Sequence, residues 1–355
     1  MTASMACVPG CRVLVGAAVG GMVAVALPFA GLLGQALPRV HVIATGGTIA
    51  SSAGATLGVD RLVEGMPELA EIAALTFDQV LSTGSSRVTP DDWVALAQAA
   101  SDAFSSEPDL AGIVITHGTD SMEETAYFLD LVVDSDRPIV VTGAMRSADA
   151  IGADGPANLF NAVRVAAAPE SRARGTLVVM NDEIHRARNV VKANTLRVHA
   201  FRSPTVGAVG IVDREGPVFK RSPELRPARF DLSGVGVLPS VEVDYAFVGS
   251  EGNGIRYARE SGAEGVIIAS FGSGRVSAGQ AEQIRAAIEA GVFVVMSSRV
   301  GSGRVQDEYG GQLGAAGRSV ILADDLNPQK ARVLLMVALT RTRAVPELVR
   351  IFDAY

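Results

Sequence analysis

The strongest constraint on the fold is the alternation of short apolar runs with longer amphipathic segments from Arg39 onward. The runs predict buried strands, namely VHVIA (40–44), AGIVIT (111–116), PIVVTG (138–143) and GTLVVMN (175–181). The amphipathic segments predict helices near 90–105, 121–134 and 156–168. Strands that alternate with helices favour the α/β class, with a mostly parallel sheet covered on both faces.

The character of the sequence changes between about Asp213 and Leu238, where proline, charge and glycine are frequent and periodicity is lost. Such a stretch is typical of an excursion followed by a linker. Alternation then resumes with the runs VEVDYA, GVIIAS and VFVVMSS, helices near 252–262 and 278–290, and a terminal helix from about Pro328. The predicted domains are a larger N-terminal α/β domain over 37–220, a linker over 221–238 and a smaller C-terminal α/β domain over 239–355.

The first 36 residues differ in kind from the rest of the chain. One charge, Arg12, precedes an apolar run from Val13 to about Leu33, and Gly34 and Ala36 match the small residues before a signal-peptidase cut. The run is long for a signal peptide and would also span a bilayer as an uncleaved anchor. We predict a signal peptide over 1–36 and a periplasmic or secreted protein, with a membrane-anchored protein as the alternative.

Composition excludes several classes of function. Both cysteines, Cys7 and Cys11, lie in the leader, so cysteine nucleophiles and thiolate metal sites are excluded beyond it. The net charge is −7, and no cluster of basic residues interleaves with aromatics, so a nucleic-acid partner is not expected. The histidines lack metal-ligand spacing, and neither a G-x-S-x-G elbow nor a phosphate loop is present.

Two motifs follow predicted strands, and ligands of open parallel sheets bind outside the carboxyl ends of strands. In ATGGTIA, Gly46 and Gly47 permit close backbone approach and leave Thr48 exposed. In ITHGTDSMEETAYFL, Thr119 and Asp120 occupy a strand-to-helix junction. On pattern alone, a glycine turn and a helix cap explain these residues as well as a site does. A hydroxyl beside a carboxylate also suits an α-amino acid, whose ammonium group the carboxylate would hold.

A lysine, Lys192 in NVVKANT, is a third candidate. A lysine at the end of a strand usually lies at the surface. If it points inward near Thr119 and Asp120, its amine would take the proton of the hydroxyl and help that hydroxyl to attack or to activate water.

Taken together, ATGGTIA and ITHGTDSMEETAYFLDL closely resemble the two signature motifs of the bacterial-type L-asparaginases. The resemblance covers about residues 40–355 and includes VTGAMR, DGPANLFNAV, VVMNDEI, SSRV and LNPQKARVLLMVALT. The leader makes the chain similar to the exported, type II branch of that family. The resemblance implies that caps and turns are not the sole role of Thr48, Thr119 and Asp120.

The resemblance also implies a mechanism. Thr48 would be the nucleophile that attacks a side-chain amide, forms an acyl-enzyme and releases ammonia. Thr119, Lys192 and Asp120 would form a second triad in which Lys192 accepts the proton that Thr119 passes on, and Asp120 would also hold the ammonium group of the substrate. Ser85, in STGSSRV, matches the family serine that holds the α-carboxylate. Backbone amides near Thr48 and Thr119 would form the oxyanion hole, and no metal or organic cofactor is implied.

Three departures from the family pattern affect the expected site. The lid segment SSAGATLGVDRLVEG lacks the tyrosine that normally lies beside the nucleophile. Ser86 stands where many members have Gln or Glu. Ser273 and Arg275, in FGSGRVS, stand where members often carry asparagines that reach the site of a neighbouring subunit, and Glu308 is the choice for the acidic residue that such a subunit lends.

The family places each site between subunits, so the resemblance implies a homotetramer of two tight dimers. The expected function is an exported L-asparaginase that converts L-asparagine and water to L-aspartate and ammonia. The alternatives are a glutaminase-asparaginase, a hydrolase for another amidated amino acid, and a low-activity amino-acid-binding protein that keeps the triad. An amidase for a tRNA-borne or peptide-bound substrate is disfavoured by the leader.

Overall fold

The computed structural model describes residues 36–46, 51–52, 55–56, 65–224, 227–306 and 311–355. The predicted signal peptide lies outside these ranges except for Ala36, and so do Gly47, Thr48, Glu308 and most of the lid segment. In the described part of the chain, no helix is both long enough and apolar enough to cross a membrane.

The predicted strands and helices are present, and the helices predicted with two bounds differ from the observed ones by at most two residues at either end. The strands are β1 (Arg39–Ala44), β2 (Ser51–Ser52), β3 (Ala55–Thr56), β4 (Ala74–Gln79), β5 (Leu110–Thr116), β6 (Ile139–Thr142), β7 (Thr176–Met180), β8 (Glu183–Arg186), β9 (Val191–Lys192), β10 (Phe201–Arg202), β11 (Gly210–Val212), β12 (Pro217–Phe219), β13 (Val241–Tyr245), β14 (Gly265–Ser270), β15 (Phe293–Ser298) and β16 (Val320–Leu322). The helices are α1 (Leu69–Ile72), α2 (Pro90–Ser106), α3 (Met122–Val132), α4 (Gly155–Ala167), α5 (Asn253–Glu260), α6 (Ala278–Glu289), α7 (Pro328–Arg341) and α8 (Val345–Ala354). Short 3-10 helices cover Ser85–Arg87, Pro169–Ser171 and Gly314–Ser319.

The larger sheet has the strand order β12-β11-β8-β7-β6-β5-β1-β4. Five neighbouring strands of this sheet, β7, β6, β5, β1 and β4, are parallel, which confirms the predicted α/β class. The other edge, formed by β8, β11 and β12, is antiparallel. Strand β12, Pro217–Phe219, lies in the stretch whose sequence lacks periodicity. Its three residues are too few to give a period, and they form a strand because β11 supplies backbone partners.

Alternate residues of the central strands face opposite layers. Ile113 and Ile115 of β5 belong to one core cluster with α2 and α3, whereas Val114 belongs to a second cluster with α4. The sheet is therefore covered on both faces, as strand alternation requires for a parallel sheet.

The smaller sheet, β13-β14-β15-β16, is parallel throughout and forms a separate smaller domain. Helices α5 and α6 cover one face, and α7 covers the other. Helix α7 also packs against α3 of the larger domain, so the apolar core continues from one sheet to the other. The single terminal helix predicted from Pro328 is in fact two helices, α7 and α8, and the second begins with Pro346 in its first turn.

Helix α2 begins as its sequence TPDDW predicts. The Thr89 side chain accepts a hydrogen bond from the Asp92 backbone and the Asp92 side chain accepts one from the Thr89 backbone, which forms a capping box. Pro90 occupies the first turn. This start sets the position of Trp93, which is buried one turn later and stacks on Phe128 of α3 with ring centroids 5.5 Å apart.

Candidate active site

The loops that follow β1, β4 and β5 meet at the carboxyl edge of the larger sheet. The backbone N–H and the hydroxyl of Thr45 both donate to Thr116 O, at 3.2 and 2.8 Å, and Thr83 N donates to Thr45 O at 3.0 Å. Gly46 has φ +92°, and a Cβ there would lie 2.9 Å from Thr83 O. The first glycine of the ATGGTIA motif is therefore required both by its backbone angle and by the space around it.

The inward orientation of Lys192 is the main finding at this edge. Its Nζ donates to Thr119 Oγ1 at 2.9 Å and to Asp120 Oδ1 at 2.7 Å. The Lys192 side chain is 17% exposed, whereas that of Asp120 is 66% exposed. The structure therefore brings together three of the residues that the sequence singled out, and the buried hydroxyl of Thr119 lies beside an amine whose other partner faces solvent.

The alternative explanation of Thr119 and Asp120 as helix caps is wrong. Helix α3 has its N-cap at Ser121, and no side chain caps its first amide groups. The Ser121 hydroxyl instead donates to Ser85 O at 2.7 Å. Thr119 and Asp120 thus lie before the helix, with their side chains engaged by Lys192.

Ser85 is buried in the 3-10 helix that follows β4, and it packs against the loop that carries Thr119. Its Oγ accepts from Asp120 N at 3.1 Å. A Cβ on Gly118 would lie 2.6 Å from that Oγ, so the glycine is what allows the serine to approach. Ser86, the next residue, is exposed.

A buried hydrogen-bond relay, which sequence reasoning missed, supports the same loop from behind. Trp93 Nε1 donates to Thr125 Oγ1 at 2.9 Å, and Thr125 Oγ1 lies 3.0 Å from His117 Nε2. His117 Nδ1 lies 2.7 Å from Gly118 O. Because an indole only donates and a carbonyl only accepts, the Thr125 hydroxyl donates to Nε2 and Nδ1–H donates to Gly118 O. The sequence signal was the histidine directly before the glycine of the motif.

Burial lowers the pKa of His117, opposed by its bond to Gly118 O. The imidazole is therefore neutral near pH 7, which the relay requires. Its hydrogen bond to Gly118 O fixes the orientation of that carbonyl.

The acidic residues in the first turn of α3 face the smaller domain. Glu123 is buried and accepts a hydrogen bond from Gln329 Nε2 at 2.6 Å. Burial raises the pKa of Glu124, opposed by the positive charge of Arg332. These carboxylates join α3 to α7 and do not line the loop that holds Thr119.

Two of the residues expected to serve a neighbouring subunit, Ser273 and Arg275, follow a strand of the smaller sheet. Ser273 and Arg275 occupy a turn at the carboxyl end of β14, closed by a hydrogen bond from Phe271 N to Arg275 O at 2.8 Å. Gln306 N donates to Ser273 O at 2.9 Å. Arg275 is exposed. Within one chain, this turn lies at the carboxyl end of a strand of the smaller sheet, whereas Thr119 and Asp120 follow β5 of the larger sheet.

Two family models match successive parts of the chain. The family model "Asparaginase, N-terminal" matches residues 39–225, and "Glutaminase/Asparaginase C-terminal domain" matches residues 240–352. The chain is 38% identical to "Probable L-asparaginase periplasmic" of Haemophilus influenzae, over 86% of this chain and 90% of the relative. It is 37% identical to "Glutaminase-asparaginase" of Pseudomonas fluorescens biotype A, over 90% of this chain and 91% of the relative.

A solved structure shares the whole architecture. The crystal structure of a probable cytoplasmic L-asparaginase from Campylobacter jejuni matches with a TM-score of 0.84 and 36% identity, covering 90% of this chain and 100% of the other. Two domain models in the expected order, relatives above one-third identity and a neighbour of the same fold agree with the motifs at the sheet edge. The chain is a member of the asparaginase family of enzymes.

Proposed function

We propose that this chain is an L-asparaginase that hydrolyses L-asparagine to L-aspartate and ammonia. The observation that carries the proposal is the placement of Lys192 Nζ, 2.9 Å from Thr119 Oγ1 and 2.7 Å from Asp120 Oδ1, at the carboxyl edge of a parallel sheet. An amine between a hydroxyl and a carboxylate is suited to moving a proton during acyl transfer.

The proposed reaction has two halves. The Thr48 hydroxyl attacks the side-chain carbonyl carbon of the substrate, its proton passes to the amide nitrogen, and ammonia leaves as the acyl ester forms. Water then attacks the ester, and aspartate leaves as the proton returns to Thr48. In its neutral form, Lys192 accepts a proton from Thr119 and returns it, so that the Thr119 hydroxyl activates the attacking group in each half.

In this proposal the substrate is bound by Asp120 of the triad and by groups next to the triad. The Asp120 carboxylate, bound to Lys192 and open to solvent, holds the ammonium group of the substrate. Ser85 Oγ already accepts from Asp120 N, which leaves its own hydrogen to donate to the α-carboxylate. Gly47 and Ser86 complete the binding loop in this proposal, and no metal ion takes part.

The test is ammonia release from the chain over 37–355, with L-asparagine and L-glutamine assayed in parallel at several concentrations. Saturable release from L-asparagine with much slower release from L-glutamine is the expected result. If the folded protein releases no ammonia from either substrate, the proposed enzyme activity is rejected. Thr48→Ala then separates catalysis from binding, because an enzyme loses ammonia release whereas an amino-acid-binding protein keeps its affinity.

A glutaminase-asparaginase is the second candidate, and Ser86 favours it. A serine there is shorter than the Gln or Glu of many members, so it leaves more room at the site. Comparable rates with both amides would establish it. Ser86→Gln should then lower the rate on L-glutamine more than the rate on L-asparagine.

We also propose a homotetramer in which Ser273, Arg275 and Glu308 reach the site of the neighbouring subunit. Co-expression of Lys192→Met and Glu308→Gln chains tests the shared site. If each site draws on two chains, random pairing restores about a quarter of the sites, because half of the pairs are mixed and each mixed pair has one intact site. Activity of the mixture no higher than that of the separate variants would contradict sharing.

Export and the domain division complete the proposal. The leader over 1–36 is cleaved and the protein is periplasmic or secreted, with a domain over 37–220, a linker over 221–238 and a domain over 239–355. The Haemophilus influenzae relative named periplasmic supports export. A mature N-terminus at residue 37, read by mass spectrometry from cells that express the full chain, is expected, and a retained leader would identify an anchor instead.

A further inference from the structure

Lys330 is a buried lysine that the proposed reaction does not use. It lies in the first turn of α7, and its side chain is 1% exposed. The position is unfavourable twice over, because the positive end of a helix repels a cation and burial of an ammonium group costs free energy unless it is fully paired. The chain contains only three lysines, Lys192, Lys220 and Lys330. Because Lys330 is buried at the positive end of a helix, its hydrogen-bond partners must compensate for the cost of that position.

The partners are backbone carbonyls of one short turn. Lys330 Nζ donates to Ala187 O at 2.7 Å, to Arg188 O at 3.0 Å and also to Val190 O. An ammonium group has three N–H donors, so these three carbonyls saturate it. All three belong to the turn over 187–190, which leads directly into β9.

The surrounding charges keep the group protonated at neutral pH. Burial lowers the pKa of Lys330 to about 8, opposed mainly by the carboxylate of Glu123. Arg188 lowers the pKa further, and Asp325 and Asp130 raise it. The Tyr127 ring lies 5.8 Å from Nζ on the side of α3. All three donors are thus available to the turn at pH 7.

Strand β9 is short. It is two residues long, and its pairing with β10 consists of Phe201 opposite Lys192 and Arg202 opposite Val191. Val190, whose carbonyl Lys330 binds, precedes Lys192 by two residues. The ammonium of Lys330 therefore holds the chain directly before β9, and β10 pairs with Val191 and with Lys192 itself.

We propose that Lys330 is a positioning residue that holds the turn over 187–190 and thereby keeps Lys192 at hydrogen-bond distance from Thr119 and Asp120. A helix of the smaller domain thus sets the geometry of the triad in the larger domain of the same chain. The role of Lys330 rests on the proposed function, since it acts only through Lys192.

The test compares Lys330→Met with Arg332→Met in the full mature chain. Methionine is an unbranched side chain one atom shorter than lysine, and it removes the three donors. Arg332 lies on the same helix, and its Nε donates to Val241 O at 2.8 Å, so the control loses a cation–carbonyl bond that does not lead to Lys192. The expected kcat of Lys330→Met is lower by about tenfold or more with KM within about threefold, because displacement of a reacting group affects the chemical step most. Arg332→Met should keep kcat within about twofold.

A second comparison separates positioning from general loss of structure. In a Lys192→Met background, Lys330→Met should cause no further loss of residual activity, because its effect passes through the missing amine. A structural role would instead lower the residual activity by the same factor as in the wild type. Lys330→Gln, which keeps two donors, should have a kcat between those of the wild type and Lys330→Met.

The outcomes distinguish the two proposals. A wild-type chain that releases no ammonia from either amide would reject the proposed function itself. An active wild type with an unchanged kcat in folded Lys330→Met, or an equal loss in Arg332→Met, would overturn the positioning role alone. Failure of both Lys330 variants to fold would assign the lysine to the stability of the fold and would also overturn that role.

Discussion

At the scale of single residues, the site depends on where one amine is placed. Lys192 Nζ has two partners of different kinds, the buried hydroxyl of Thr119 and the exposed carboxylate of Asp120. In the proposed mechanism the carboxylate fixes the amine electrostatically, and the amine activates the hydroxyl. Proton movement and ammonium binding are therefore assigned to adjacent atoms of one small cluster.

Lys192→Met should lower kcat by about 10²–10⁴-fold, the range expected for loss of a positioned proton-transfer group. Lys220→Met is the matched control, because Lys220 is exposed and its backbone N–H, which bonds Val209 O, is unaffected by the substitution. Steady-state ammonia release with circular dichroism of both variants provides the measurement. Near-normal turnover by a correctly folded Lys192→Met protein would reject the triad.

Gly118→Ala should raise KM, because it displaces a residue of the proposed binding site. The added Cβ would lie 2.6 Å from Ser85 Oγ and 2.8 Å from Ser85 Cβ, so the serine must move away from the site. Loss of a hydrogen bond to a charged group costs about 1.5–3 kcal/mol, or about ten- to a hundredfold in KM. Gly236→Ala is the control, since nothing lies within 4 Å of the Cβ it would add. An unchanged KM in Gly118→Ala would remove Ser85 from the binding site.

At the scale of secondary-structure elements, the loop that carries Thr119 is held by the helices behind it. Helix α2 supplies Trp93, α3 supplies Thr125, and the strand end supplies His117, and together they orient the carbonyl of Gly118. In a trans peptide the N–H of the next residue points opposite to that carbonyl. The relay therefore directs the Thr119 amide to the other side of the peptide, and the proposed mechanism uses an amide near Thr119 as an oxyanion donor.

Thr125→Val breaks this relay and leaves Trp93 Nε1 and His117 Nε2 buried without partners. Each unpaired buried group costs about 1–3 kcal/mol, so the urea midpoint should fall and kcat should fall with it. Thr340→Val on α7 is the control, because its hydroxyl donates to the carbonyl of Val337 in its own helix. Equal effects of the two variants on kcat would show that the relay does not act on the loop.

At the scale of the whole molecule, α3 and α7 join the two sheets into one continuous core, and titrating groups in that core affect global stability. His185 is 1% exposed; its Nδ1 bonds to Ser203 Oγ at 3.0 Å, and its Nε2 lies 3.3 Å from Glu183 Oε2. Burial lowers its pKa to about 4, opposed mainly by Glu183. Between the folded pKa of about 4 and the unfolded value of 6.5, the unfolded chain therefore binds a proton that the folded chain excludes.

Because the folded pKa of His185 is about 4 and its unfolded value is 6.5, stability should be fully present above pH 6.5 and lost as the pH falls toward 4. His185→Gln should remove this part of the acid dependence, so the difference in free energy of unfolding between wild type and variant shrinks over that window. Urea titrations at pH 7, 5.5 and 4.5 measure it. His199→Gln, at a position 44% exposed, is the control, and a difference that stays constant with pH would contradict the argument.

The sequence by itself determined the class of fold, the central strands and the helices, because apolar periodicity and caps depend on residues within a turn or two of each other. Thr89 and Pro90 predict the start of α2 in this way. The motifs at the ends of β1 and β5 were also readable, since the carboxyl ends of parallel neighbours meet at one edge.

Only the tertiary structure decided which residues meet. Lys192 reaches Thr119 across 73 positions of the chain, and Lys330 reaches Ala187 across 143. No local pattern distinguishes these two lysines from a surface lysine, because the inward direction of each is set by distant carbonyl and hydroxyl groups that exist as partners only after folding. The strand over Pro217–Phe219 has the same origin, since its backbone pairs with β11 and its three residues carry no period of their own.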